Sequence, residues 1–400
     1  MNKTIYLDNA ATTPVRPEVL LAMKPYWGLN FGNPSSITKG GVKAKQAVEN
    51  SRKMIAECLK ARPLEIIFTG SGTESNNLAI LGIVNNLDKR GIKISNLHFI
   101  TSNIEHSSIL ECFKELERRG AKVDYLKVNE SGTVVTRDLR KLIKPNTVLV
   151  SIGYANNEIG VIQPIQEIAR EIRHAKKVNK IQVGEYPYFH TDASQAGLYC
   201  NLNINELAAD LLTLDAQKIY GPKGVGILFV KAGRNISPII LGGGQEGGLR
   251  SGTENVPLIV GMAKAFQLAR KDFNKKGKKI KIIRDYFWQG IQKEIPEAVL
   301  NGDLKNRLPN NLNISIPGMD AEFTVLCLDE EEIICSTKSA CNQDEDSSFV
   351  VRAISNSDSL AKSSLRFSLD ENVTKSDINY VLVKLKLTVN KQKIIKYFPS

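Results

Sequence analysis

The chain contains no long apolar run, no internal repeat and no low-complexity tract, and each absence closes off a class of protein. No apolar stretch approaches the ~18 residues that suggest a membrane span. The opening Met1-Asn2-Lys3-Thr4-Ile5-Tyr6-Leu7-Asp8 lacks the apolar core of a secretory signal. Hydrophobic residues at 42% and charged residues at 24% sit near globular averages, so a chain folded throughout is expected. Six cysteines, Cys58, Cys112, Cys200, Cys327, Cys335 and Cys341, are too sparse in 400 residues for a secreted disulfide scaffold. Free thiols in a reducing compartment, and hence a cytoplasmic location, are expected, with no membrane contact.

Two further absences concern partners. The formal charge of +12 would suit nucleic acid, yet the densest basic run, Lys275 to Lys281, has no interleaved aromatics and lies between two helical patterns. It reads as a solvated helical surface, with an acidic protein or a transiently met RNA as the remaining uses, and no direct nucleic-acid binding is expected. Five residues separate Cys335 from Cys341 and no histidine is nearby, which argues against zinc. No resident metal is expected.

What is present is a rhythm. Four hundred residues exceed one ordinary core, so two packed domains are the starting expectation. From Arg16 to about Val260, β-rich runs alternate with amphipathic helical stretches, the pattern of a parallel sheet covered by helices. The runs are Glu65 to Thr69, Leu97 to Thr101, Lys122 to Lys127, Thr147 to Ile152, Tyr188 to Thr191, Leu211 to Leu214 and Val225 to Val230. Helices are expected over Val42 to Leu59 and Ser75 to Leu87. After Pro257 come two long helical stretches and then strands at Leu312 to Ile316, Glu332 to Cys335 and Ser364 to Leu369. The expected division is a large domain over residues 16–260, with residues 1–15 and 261–400 forming a smaller α+β domain.

In doubly wound sheets, ligands bind beyond the carboxyl ends of the strands. Three ends carry chemistry. The first run enters Gly70-Ser71-Gly72-Thr73-Glu74-Ser75 and a helix, offering N–H groups and a dipole to a phosphate, or merely packing strand on helix. Its spacing fits neither a Walker A loop nor a dinucleotide turn. Tyr188 to Thr191 leads into Asp192-Ala193-Ser194-Gln195. An aspartate there can keep a pyridine nitrogen protonated, or can cap the next segment. The third end runs Asp215-Ala216-Gln217-Lys218-Ile219-Tyr220-Gly221-Pro222-Lys223-Gly224. A lysine so placed can form a Schiff base and later act as a general base.

These elements, with Tyr6-Leu7-Asp8-Asn9-Ala10-Ala11-Thr12-Thr13-Pro14, Gly32-Asn33-Pro34-Ser35-Ser36, Ala155-Asn156-Asn157-Glu158-Ile159-Gly160, Gly242-Gly243-Gly244-Gln245-Glu246, Arg250-Ser251-Gly252-Thr253 and Ser363-Ser364-Leu365-Arg366-Phe367-Ser368-Leu369, resemble the class V aminotransferases, and specifically their cysteine desulfurase branch. The resemblance implies an α/β fold-type I pyridoxal-phosphate transferase: a large domain on a mixed, mostly parallel seven-stranded sheet, plus the smaller α+β domain. It implies pyridoxal 5'-phosphate on Lys218, with Asp192 at the ring nitrogen, His106 stacked on the ring and Gln195 at the phenolic oxygen. Gly72, Thr73 and Gln217 would meet the phosphate. Thr253 would reach the phosphate of a neighbouring subunit, which implies a homodimer. Asn157 and Arg366 would position the substrate carboxylate, a task suited to a planar guanidinium. Taken singly, His106 could be a hydrogen-bonded histidine beside Glu105, and Arg366 a surface ion pair. The chain departs from the family pattern at Gln217, where histidine is usual, and at Asp215, where a phosphate-contacting serine is common.

A lysine-bound cofactor supports several reactions, and Cys341 discriminates among them. Cys335-Ser336-Thr337-Lys338-Ser339-Ala340-Cys341-Asn342-Gln343-Asp344 turns polar immediately after Cys341, so an accessible thiol on a loop is expected. Ser339-Ala340-Cys341 resembles the loop of the desulfurases that support iron–sulfur cluster assembly. The resemblance implies that Lys218 removes the α-proton of L-cysteine, Cys341 takes the sulfur as a persulfide, and L-alanine leaves. The sulfur would pass to an acceptor protein, either an iron–sulfur scaffold or a tRNA-thiolating enzyme, where Cys341 would touch a partner-bound cluster only transiently. The alternatives are a selenocysteine lyase or other pyridoxal-phosphate lyase or aminotransferase, and a non-catalytic family member serving as a binding platform.

Overall fold

A computed structural model describes residues 4–179, 185–338 and 347–397. Cys341, on which the expected sulfur chemistry turns, lies outside the described residues. In chain order the strands are β1 (Ile5–Tyr6), β2 (Ile66–Thr69), β3 (His98–Ser102), β4 (Lys122–Leu126), β5 (Thr147–Ser151), β6 (Tyr188–Asp192), β7 (Leu211–Asp215), β8 (Gly226–Val230), β9 (Val299–Leu300), β10 (Asn311–Ser315), β11 (Ile333–Ile334) and β12 (Ser364–Ser368).

Short apolar runs such as Leu211–Asp215 and Gly226–Val230 are buried at every position, because helices cover both faces of the sheet they form. That sheet has seven strands in the order β2-β8-β7-β6-β5-β3-β4. The strands β7, β6, β5, β3 and β4 run parallel, whereas β8 is antiparallel to both β2 and β7. Gly226 can open β8 there because a side chain would collide with Ser71, its Cβ falling 2.6 Å from the Ser71 carbonyl carbon.

The helices follow from caps as much as from periodicity. Lys39–Leu59 starts at Thr38, whose hydroxyl accepts from Gly41 N, and ends at Lys60 in the left-handed region. Its buried stripe, Ala44, Ala47, Val48, Ser51, Ile55 and Leu59, lies against the sheet core. Helix Gly72–Lys89 begins three residues before the apolar periodicity does, because the Ser71 side chain accepts from Glu74 N and draws Gly72 and Thr73 into the first turn.

A second core gathers Phe287, Trp288 and Ile291 of helix Phe273–Glu294, Leu312 and Ile314 of β10, Leu365 and Phe367 of β12, and Val381 and Leu385 of helix Lys375–Tyr397. There β10 pairs antiparallel with β12 and with β9. The run Glu332 to Cys335 does not join that sheet. Only β11 forms, and it pairs in parallel with β1, so the start of the chain is buried here through Ile5 and Leu7. No described helix is long and apolar enough to cross a membrane.

Candidate active site

At the carboxyl ends of the parallel strands lies a cavity of about 270 Å³. Nine of the residues expected to act together line it: Gly72, Thr73, His106, Asn157, Asp192, Gln195, Gln217, Lys218 and Arg366. They come from turns after four strands of the large sheet, from the start of a helix, and from β12 of the second core. Thr253 is exposed and does not line the cavity of its own chain.

Lys218 closes the single helical turn Ala216–Lys218 that follows β7. Its Nζ donates to the carbonyl oxygens of Ala10 at 2.8 Å and Ala11 at 2.6 Å. The same segment is fixed on either side. Gln195 Nε2 donates to Ala10 O at 2.9 Å, Ala10 N donates to Ser368 Oγ at 2.8 Å, and Thr13 Oγ1 donates to Gln217 O and accepts from Tyr220 N. The amine therefore faces the cavity from a turn braced by the first residues of the chain.

Asp192 ends β6. Its Oδ1 accepts from Ser194 N at 2.9 Å, as a capping aspartate does, and its Oδ2 accepts from Asn76 Nδ2 at 2.8 Å. Asn76 also donates to Ser108 Oγ at 2.9 Å, which leaves that hydroxyl's own proton to meet His106 Nδ1 at 2.8 Å. The Ser108 backbone N–H points at the same ring nitrogen, at 3.2 Å. With Nδ1 accepting twice, the ring carries its proton on Nε2. A chain of four side chains thus runs from the carboxylate to the imidazole, and Asn76 and Ser108, which the motif reading passes over, are its middle links.

Glu105 is the other residue that reading passes over. It is buried beneath the cavity, accepting from Ser102 Oγ at 2.5 Å and from Gly153 N at 3.1 and 3.0 Å. Burial pushes its carboxyl up to about 7, an effect only partly offset by those donors and reinforced by the neighbouring charge of Asp192.

Arg366 is 1% exposed and no surface residue. Its Nη2 meets Asp8 Oδ1 at 2.7 Å and its Nη1 donates to Asn157 O at 3.1 Å, while its buried Nε has no partner among the described residues. Gln217 turns its amide to Asp215 Oδ2 at 3.3 Å, and Asp215 in turn accepts from Gly72 N at 3.2 Å. The described neighbours of residues 339–346 root close by. Ser336 bridges Arg366 backbone to backbone, and Ser348 Oγ donates to Glu158 Oε2 at 2.5 Å, next to Asn157.

The donor set suits pyridoxal 5'-phosphate. A primary amine, a carboxylate, an oriented imidazole and a helix start with small residues surround one cavity, and Asn76 Oδ1 and Arg366 Nε have no hydrogen-bond partner among the described residues. Among the described residues no three metal-ligating side chains gather.

Comparison with known proteins agrees with this geometry. The family model described as aminotransferase class-V matches residues 5–381. A protein named cysteine desulfurase IscS from Dictyoglomus turgidum is 44% identical over 397 residues, covering 99% of this chain and 97% of that protein. The human protein named cysteine desulfurase is 38% identical, covering 96% of this chain and 81% of its own length. Among solved structures, a NifS-like protein superposes with a TM-score of 0.88 at 34% identity, covering 97% of this chain and all of its own. A structure titled SspA in complex with cysteine gives 0.75 at 35% identity, covering 92% and 99%. The chain belongs to the class-V aminotransferase family, in its cysteine desulfurase branch.

Proposed function

We propose that the chain converts L-cysteine to L-alanine and a persulfide on Cys341, using pyridoxal 5'-phosphate attached to Lys218. The observation that carries this reading is the convergence of Lys218, Asp192, His106 and Arg366 on one cavity. The cofactor, when bound, supplies an electron-accepting pyridine ring linked to the substrate nitrogen.

The chain's own groups divide the remaining work. Arg366 holds the substrate carboxylate, using the edge not engaged by Asp8 and Asn157. Asp192 keeps a proton on the ring nitrogen, and the Asn76–Ser108 link holds the His106 face in place. The Lys218 amine takes the α-proton. Cys341 accepts the sulfur as its thiolate attacks, and the electrons of the broken carbon–sulfur bond go to the carbon that becomes alanine. Four of the five described cysteines are poorly suited to that attack: burial pushes the thiols of Cys112 and Cys200 up to about 12 and raises those of Cys58 and Cys335.

A homodimer completes the reading. Leu20, Leu21, Trp27, Leu29, Phe31 and Ile37 are all more than half exposed within one stretch of chain, an apolar surface of the kind a second copy covers. Thr253, exposed on its own subunit, would face the other's phosphate. An acceptor protein, of the iron–sulfur scaffold or tRNA-thiolating kind, would then collect the persulfide sulfur.

The test is spectroscopic and chemical. Purified protein should gain visible absorbance with pyridoxal 5'-phosphate and release alanine from cysteine, and Lys218→Ala should abolish both. Cys341→Ser should keep the absorbance and lose persulfide transfer; transfer at the wild-type rate in that variant would refute the role of Cys341.

A further inference from the structure

The start of helix Gly72–Lys89 opens into the cavity through Gly72 and Thr73. Unpaired N–H groups and aligned peptide dipoles make such a start attractive to anions. Here the chain has put an anion of its own in that place. Gly72 N donates to Asp215 Oδ2, and the carboxylate is held from its other side by Gln217, whose backbone N–H meets Oδ1 at 3.2 Å and whose amide meets Oδ2. All three donors are neutral, and Asp215 is buried. The approach is close enough that a Cβ on Gly72 would stand 3.1 Å from Asp215 Cβ. An arriving phosphate therefore meets a negative charge at this helix start, and the amide of Gln217, which could have bonded it, is turned away toward Asp215.

Resting on the cofactor reading above, we propose that Asp215 sets the affinity of the site: a resident carboxylate that competes with the cofactor's phosphate for the helix start and holds the cofactor in an exchangeable state. The effect is specific to the phosphate end. A like charge a few ångströms away in a shielded pocket opposes a dianion strongly and an uncharged hydroxymethyl group hardly at all.

The test compares wild type with Asp215→Asn, which keeps the shape and removes the charge, and with Asp215→Ser, which serves if the first does not fold. Each cofactor-free protein is titrated with pyridoxal 5'-phosphate and with pyridoxal, followed by visible absorbance. The phosphorylated aldehyde should bind the variants roughly tenfold more tightly or better, equivalent to about 1.4 kcal/mol, with pyridoxal little changed. Unchanged or weaker binding of the phosphorylated aldehyde, or an equal gain for pyridoxal, overturns the proposal. Melting temperature against inorganic phosphate decides the matter without the cofactor. Stabilisation of Asp215→Ser at concentrations that leave wild type unmoved supports the proposal, and equal responses overturn it. If no protein takes either aldehyde, the proposed function falls, while the phosphate melts still judge Asp215.

Discussion

Replacing Glu105 with glutamine should remove a pH dependence from folding. The carboxyl is buried among Ser102, Gly153 and Asp192, and burial moves it from 4.5 in the unfolded chain to about 7 in the folded, cofactor-free protein. Below about pH 4.5 both states hold the proton and the group costs nothing. As pH climbs from there to about 7, the folded state retains a proton that the unfolded state has released, so stability falls, and above about 7 the loss levels off. A difference of this size corresponds to about 3 kcal/mol. Glutamine is neutral throughout and its Oε1 can still accept from Ser102 and Gly153. Urea denaturation of both proteins between about pH 4.5 and pH 8 isolates the group, since every other titration is common to the pair. The wild type should lose about 3 kcal/mol relative to Glu105→Gln across that range. A difference between the two proteins that stays flat with pH would show that the carboxylate is ionised at no cost in its pocket.

Three more perturbations test other joints of the molecule. Arg366→Lys cannot hold Asp8, Asn157 and a substrate carboxylate together, so kcat/KM for cysteine should fall on the order of 10- to 100-fold, mostly through KM, with cofactor absorbance intact. Ser108→Ala severs Asn76 from His106 and leaves the imidazole held at Nδ1 by the backbone N–H alone, and kcat should drop about tenfold with little change in melting temperature. Arg52→Ala strands Glu246, which is buried and paired with Arg52 by two 2.8 Å bonds. Urea denaturation should register a loss of about 3–5 kcal/mol, whereas a loss below about 1 kcal/mol would mean that water reaches the carboxylate.

The ends of β2, β6 and β7 were legible because each apolar run stops at a polar or glycine residue, and the chemistry of a parallel sheet collects at such ends. The antiparallel setting of β8 was not, since a strand buried on both faces reads the same in either direction. Nor did periodicity reveal that Glu332 to Cys335 would shrink to β11 and pair with β1, because two-residue strands are settled by what they pack against. Among site residues, Lys218, at a strand end just ahead of a Gly-Pro-Lys-Gly turn, declares itself locally. Asn76 and Asp192 meet across 116 positions of chain, and no spacing rule links them. The same holds for the turn of Gln217 toward Asp215, which depends on where Gly72 comes to lie.

The passage of Asp8 to Thr13 between the two cores has a practical side. Ile5 and Leu7 are anchored in one core, Thr13 is bolted to the turn after β7, and the carbonyls in between receive the Lys218 amine. Those few residues join both anchorages to the Lys218 amine, so a displacement at either one is delivered to one nitrogen atom. A bulky fusion joined ahead of Thr4, or a deletion that shortens this strap, should disarm the amine before it unfolds anything.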